Sequence, residues 1–312
     1  MSERPVAAEV YDEDWIAAAW GEGRNRELLS DQPLRPRPRL ARAMELVQLR
    51  PGLPLLDLAC GRGEVLALAA AAGAEAVGID FSSAAIDFAR RVRQVRSKSL
   101  PIGASYHLAR ADATRLPFAS GSFARVTLLD IVEHLLPEQL DTMLHEVHRV
   151  LSPGGFVVIH TLPNRWVYEV LYPLARRLRP ALPANPRSEF ERQIHINEQD
   201  LPRLHCTLTR CGLTHHLWLE QHIAAQARWN RGLDAYGDNR DSVYPALAGV
   251  AGRVLEWLSL TPAGLLLCND IFAVAWKGPR PPDLPDMPHA WSEQLACLLP
   301  VKQQPKSNRE PG

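Results

Sequence analysis

From residue 53 onward, short apolar runs alternate with stretches of helical periodicity, the pattern of a parallel sheet covered on both faces. LPLLDLA (53–59) predicts a first strand, and GRGEVLALAAAAG after it a helix that stops at Gly73. EAVGID (75–80) predicts a second strand, followed by a helix that Ser82 opens as a cap. SYHLARAD (105–112) predicts a third strand, and FARVTLLDIV (123–132) a fourth that ends at Asp130 or just beyond. PEQLDTMLHEVHRVL (137–151) reads as a helix with proline in its first turn, after which SPGG turns into a fifth strand, FVVIHTL (156–162).

Past Asn164 the alternation loosens. WVYEVLYPLARRLRP (166–180) has an amphipathic helical period, NEQDLPRLHCTLTRCG a helical one closed by Gly212, and LTHHLWLEQ alternates as a strand. NDIFAVAWKG (269–278) supplies the last of seven strands. The pattern implies one α/β domain over 53–278, with mainly helical insertions at about 164–194 and 221–268. Residues 1–52, which include DEDWIAAAWGEG, read as cap helices and a linker, and 279–312 as a proline-rich irregular tail.

Composition narrows the classes. The 312 residues carry 35 basic and 35 acidic side chains, a net charge of zero that argues against a protein holding nucleic acid through its phosphates. Five scattered cysteines do not form a disulfide framework, so a reducing, cytoplasmic setting is expected. The acidic start MSERPVAAEVYDEDW is not a secretory signal. The most apolar stretch, 245–268, is broken by Arg253, Glu256, three glycines and a proline, so it reads as a buried or surface-docking helical pair.

Candidate chemistry gathers at the carboxyl ends of the strands, where open parallel sheets bind ligands. LLDLACGRGEV (55–65) puts Gly61 and Gly63 in a strand-to-helix turn, where backbone N–H groups can meet an anionic ligand group. Asp80 closes the second strand, where a carboxylate can accept both hydroxyls of a ribose. Asp112, with Ala113 beside it, closes the third, and Asp130 the fourth, with Glu133 and His134 just beyond. Any one of these acids reads equally well as a solvated loop residue or a cap. Asp57, Asp80, Asp112 and Asp130 in phase on successive strands do not.

In LLDLACGRGEV, AVGIDFS, ARADATRLPFASGSFARVTLLDIVEHL and LHEVHRVLSPGGFVVIHTLPN, the chain resembles the class I S-adenosylmethionine-dependent methyltransferases, and within them the branch containing the ubiquinone and menaquinone methyltransferases. The resemblance is close over 53–164 and weaker beyond. It implies a Rossmann-like, seven-stranded, mostly parallel sheet with helices on both faces and a helical cap from the insertions. Asp57 and the turn holding Ala59, Gly61 and Gly63 would take the methionine part of the cofactor. Asp80 would take the ribose, Phe81, Asp112 and Ala113 the adenine, and Asp130 and Ile131 would line the cofactor beside the sulfonium. Many similar enzymes have glycine where this chain has Ala59.

A hydroxyl or acidic-carbon acceptor must lose a proton, for which His134 is the first candidate and Glu133 the second. The competing reading of His134 is a histidine packed beneath the cofactor. Strand four ends in DIVEH, without the tetrad used by many enzymes that methylate planar amino groups, which favours an O or C acceptor on a small or lipid-like molecule. Arg176, Arg177 and Arg179 beside apolar residues suggest peripheral membrane contact, weighed against a packed helical lid. Trp166, Tyr168, Tyr172, Trp229 and Tyr236 make the insertions aromatic. His195 either enters the site or helps cap the next helix. His205, Cys206, Cys211, His215 and His216 lack zinc-knuckle spacing and read as buried side chains, so no metal is expected. The alternatives are an NAD(P)-dependent oxidoreductase, which would share the glycine turn and Asp80, and a catalytically silent binding protein of the same fold.

Overall fold

The computed structural model describes residues 4–20, 22–101, 104–185, 187, 189–221, 250–259 and 261–288. Seven strands form one sheet: β1 (Pro54–Leu58), β2 (Glu75–Asp80), β3 (Tyr106–Arg110), β4 (Phe123–Leu129), β5 (Leu151–Thr161), β6 (Thr214–Glu220) and β7 (Asp270–Trp276). Their order is β3-β2-β1-β4-β5-β7-β6. The pairs among β1 to β5 are parallel, and β7 runs antiparallel to both β5 and β6. Leu55, Leu56, Asp57 and Leu58 are all buried, so both faces of the central strand are covered.

Helices α1 (Glu13–Trp20), α2 (Glu22–Leu28) and α3 (Pro38–Val47) precede the sheet. Next come α4 (Glu64–Ala71), α5 (Ser83–Arg96) and α6 (Pro137–Val150). A π-helical turn (Val167–Leu171) leads into α7 (Tyr172–Leu178), followed by α8 (Glu189–Ile194) and α9 (Leu201–Arg210). Two more, α10 (Val250–Ser259) and α11 (Gly264–Leu267), precede β7. The predicted cap of α5 forms, Ser82 Oγ accepting from the Ala85 N–H at 3.1 Å. Helix α9 is capped by Asp200, which accepts from the Arg203 N–H at 2.9 Å.

Three expectations change. The fifth strand begins at Leu151 rather than after SPGG. Leu151 pairs with Phe123 and Phe156 with Arg125, so SPGG is taken up as a bulge against β4. Gly154 there has φ +75°, and a Cβ on Gly155 would lie 2.9 Å from the Ala124 carbonyl oxygen. Second, residues 279–288 at the start of the tail are irregular but docked. Asp283 accepts from Arg125 Nη2 at 2.5 Å and from Arg50 Nη2 at 3.2 Å. Third, the cap at 197–200 belongs to Asp200, not to His195. Trp229, Tyr236 and residues 289–312 lie outside the described residues.

Candidate functional site

The carboxyl ends of β1, β2, β3, β4 and β5 border a cavity of about 820 Å³. Asp57, Asp80, Asp112 and Asp130 all line it, together with Ala59, Gly61, Phe81, Ala113, Ile131, Glu133 and His134. The structure thus gathers on one rim every sequence-derived site residue except Gly63, which does not line the cavity. Gly63 instead carries the turn into α4: its φ is +79°, and a Cβ there would stand 3.2 Å from that of Ala89 on α5.

Each acid is held differently. Asp80 Oδ2 accepts the Gly61 N–H and Oδ1 the Ser82 N–H, both at 2.9 Å, which fixes its orientation while leaving lone pairs for a ligand. Asp57 accepts the Thr127 hydroxyl at 2.6 Å, and burial still pushes its carboxyl up to about 7. Asp112 Oδ1 accepts both the N–H and the hydroxyl of Thr114 at 2.8 Å, closing its own turn. Asp130 has a left-handed φ of 61°. Its N–H donates to the His160 carbonyl at 3.0 Å, and its Oδ1 lies 2.5 Å from His160 Nδ1.

Ala59 takes a φ of 58°, where an L side chain is strained by roughly 1–2 kcal/mol. Ala59→Gly is therefore expected to stabilise the chain by about 1 kcal/mol, raising its melting temperature by roughly 2–4 °C in differential scanning calorimetry. An unchanged or lower value would remove strain from the account of this turn.

The N-terminal segment closes over the rim. Tyr11, Trp15, Arg37, Arg39 and Leu40 line the cavity; Trp15 belongs to the expected cap segment DEDWIAAAWGEG, and no motif in the sequence marks the other four. Ser82 Oγ donates to the Tyr11 carbonyl at 2.6 Å. Arg24 Nη2 reaches Glu64 at 2.6 Å, and Arg62 Nη1 donates to Asn25 Oδ1 at 2.7 Å, tying α2 to the turn after β1. Arg39 pairs with Asp130 at 2.8 Å. Arg37 lies among Arg39, Arg62 and Arg24, and burial beside these like charges lowers its guanidinium to about 9. Arg37, Arg39 and Arg62 thus bring positive charge to a rim that also carries the four aspartates.

His160 also went unnoticed, although its place at the end of β5 obeys the strand-end rule that found the aspartates. It sits between Asp130 and Asp270, whose Oδ1 lies 3.6 Å from Nε2. Burial opposes its charge, but the two carboxylates prevail and raise the imidazole to about 9. Burial likewise opposes ionisation of Asp130, yet Arg39 and His160 hold its carboxyl well below the usual carboxylate range.

Beyond Asp130 stand four further polar side chains. The Tyr11 hydroxyl and His134 Nδ1 are 2.9 Å apart, and the His134 and His195 rings meet edge-on at 5.1 Å. His195 lines the cavity, which settles the choice left open for it in favour of the site. Burial, with His195 alongside, lowers His134 to about 3, so its ring is neutral. Glu133 is 1% exposed, and Oε2 accepts the Thr161 hydroxyl at 2.7 Å. Burial and the charge of Asp130 push its carboxyl up. One donor atom each from Glu133, His134 and His195 lie within 4.8 Å of one another, a spacing that can hold a cation. The second histidine group is a hydrogen-bonded pair, His205 Nδ1 and His215 Nε2 being 2.9 Å apart. Burial raises the Cys211 thiol to about 12, which makes it inert.

These shifts fix the pH dependence of stability. His134 at about 3 and His215 at about 4 stay neutral in the fold but take up protons when unfolded, so stability falls as pH drops below about 6.5. His160 at about 9 does the reverse: its contribution is complete below about 6.5 and is lost as pH rises to 9. The raised carboxyls of Asp57 and Glu133 act against the acid-side histidines, costing stability as pH rises from about 4 to neutrality. The clean signal is therefore His160: the urea midpoint of the parent is expected to fall more steeply than that of His160→Gln between pH 6.5 and 9. An unaltered alkaline side in that variant would refute the assignment.

Residues 56–159 match a protein-family model described as a methyltransferase domain. An uncharacterized methyltransferase of Synechocystis is 33% identical over 127 residues, which cover 40% of this chain and 55% of that one. The demethylmenaquinone methyltransferase of Thermus thermophilus is 34% identical over 124 residues, covering 39% and 53%. The chain therefore spans about half the length of these curated relatives. The phosphoethanolamine N-methyltransferase 2 of Haemonchus contortus, solved with S-adenosyl-L-methionine, superposes with a TM-score of 0.53 at 18% identity, over 87% of this chain and 57% of that one. That likeness concerns the fold.

Proposed function

We propose that this chain, a class I S-adenosylmethionine-dependent methyltransferase similar to the quinone methyltransferases, transfers a methyl group to an oxygen or carbon acceptor on a small or lipid-like molecule. The observation that carries the reading is the single rim joining Asp57, Asp80, Asp112 and Asp130 around one cavity.

The residues fit that cofactor. Asp80 keeps acceptor capacity beside two backbone donors, as a ribose requires, and beyond its chain neighbours no atom lies within 4 Å of where a Cβ on Gly61 would be. Phe81, Asp112 and Ala113 would hold the adenine, and Asp57, Gly61, Arg37 and Arg39 the amino-acid end. When bound, S-adenosylmethionine supplies a methyl group made electrophilic by its sulfonium.

The protein aligns the acceptor, excludes water and removes a proton. Tyr11, Trp15, Leu162 and Ile194 give the cavity apolar and aromatic wall. Glu133 displaces His134 as the first candidate base. The His134 ring is turned to Tyr11 and burial lowers it to about 3, which makes it a weak base. Burial and Asp130 instead raise Glu133 to about 8, near the operating pH, where its ionised fraction is a strong base. The preference for small or lipid-like acceptors over nucleic acid rests on the neutral charge and the apolar wall.

S-adenosylhomocysteine at about 100 times its dissociation constant is expected to stabilise the fold by about 2.7 kcal/mol, while NAD and NADP leave it unchanged. Asp80→Ala should abolish the stabilisation. Stabilisation by either nucleotide and not by S-adenosylhomocysteine would return the assignment to an oxidoreductase. Failure to transfer a labelled methyl group to a cell extract, with cofactor bound, would leave a silent binding protein.

A further inference from the structure

Apart from Val10 and Phe81, every large apolar side chain exposed among the described residues lies on the π-helical turn, α7, α10 or α11. Val170, Leu174 and Leu178 follow one another at intervals of four, so they share one helical face. Val250, Val254 and Trp257 share a face of α10 in the same way. Leu178 is 83% exposed and Trp257 64%, far beyond what a packed lid leaves in solvent. The two faces belong to adjoining elements, since α11 packs against both the π-helical turn and α10.

The charge along α7 is of one sign, whereas α10 carries one of each, Arg253 and Glu256. Residues 170–182, VLYPLARRLRPAL, contain three arginines and no acid. Arg176, Arg177 and Arg179 make no ion pair among the described residues, and Arg253 adds an exposed cation on α10. Arg176 and Arg177 border a groove of about 520 Å³ with Tyr168, Tyr172 and Arg187. Arg187 is already paired with Glu198 and stacked on Tyr168, so Arg176 and Arg177 are the guanidiniums left to meet a phosphate.

We propose that the exposed apolar stripes of α7 and α10, with Arg176, Arg177 and Arg179 beside them, form a surface that seats on an anionic phospholipid bilayer. The stripes enter the acyl boundary, with Trp257 at headgroup level, and Arg176 and Arg177 take lipid phosphates. No described helix is long and apolar enough to cross a membrane, so the surface lies on the bilayer. The insertion that carries α7 ends in Glu191, Ile194 and His195 on the cavity wall, which places the bilayer contact and the acceptor's entrance on one segment. The inference deepens the lipid-like acceptor reading and rests on it only for what the membrane would deliver.

Flotation of the full chain with vesicles tests the proposal without turnover. The protein is expected to bind vesicles of phosphatidylcholine mixed with phosphatidylglycerol roughly 10- to 100-fold more tightly than pure phosphatidylcholine. Leu174→Glu with Leu178→Glu should weaken binding to both by at least about tenfold, and Arg176→Gln with Arg177→Gln should remove only the anionic preference. Thermal stabilisation by S-adenosylhomocysteine, retained in each variant, certifies the fold. No flotation of the parent chain, or full flotation of the double glutamate variant, overturns the proposal. So does a concentration-dependent dimer that Leu178→Glu dissociates, which would assign the surface to a second copy. Flotation without any response to S-adenosylhomocysteine would uphold this surface and defeat the cofactor reading instead.

Discussion

Glu133→Gln is expected to slow methyl transfer by roughly 10²–10⁴-fold, the usual contribution of a positioned base, while S-adenosylhomocysteine binds as before. Glutamine keeps the size of the side chain and an oxygen for the Thr161 hydroxyl, now 2.7 Å from Glu133 Oε2, but it cannot take a proton. His134→Gln should have the smaller effect, because a ring held at about 3 by burial is a weak base. Single-turnover transfer of a labelled methyl group separates the two variants. A large loss in His134→Gln with none in Glu133→Gln would restore the order given by sequence alone. Repeating the comparison in chelator tests whether Glu133 acts through a cation held with His134 and His195.

The second large effect is on stability. Arg125 is 1% exposed, stacked over Phe156, and donates to the carbonyls of Val47 and Ala124 at 3.1 and 2.8 Å. Its remaining nitrogen is satisfied by Asp283. Asp283→Ala leaves that buried cation without its counter-charge; with Asp283 36% exposed, water offsets part of the loss, so the fold is expected to be destabilised by about 2 kcal/mol, or roughly 4–8 °C in melting temperature. Arg50 meets the same carboxylate from an exposed position, so Arg50→Ala should cost no more than about 1 kcal/mol. Equal melting temperatures for the two variants would show that the docked start of the tail does not hold Arg125.

Much of the architecture was legible because it follows from local periodicity. A strand buried on both faces must be a short apolar run, and the helices between such runs must be amphipathic. LPLLDLA and EAVGID could hardly form anything else, and each placed its aspartate at the same edge. The SPGG segment misled because a proline and two glycines signal a turn whether they close a loop or fill a bulge. Only the partner strand decides between the two.

The sequence by itself determined the strands, the edge on which the acids gather and the cofactor class that the edge suits. The tertiary structure alone decided which charges those acids meet. Tyr11 contacts His134 across 123 residues of chain, Arg39 reaches Asp130 from a segment that precedes the sheet, and His160 lies between a carboxylate just past β4 and one on β7. Such partners set the basicity of Glu133 and the neutrality of His134. No spacing encodes them, because burial and charge act through distance in space, which periodicity along the chain does not specify.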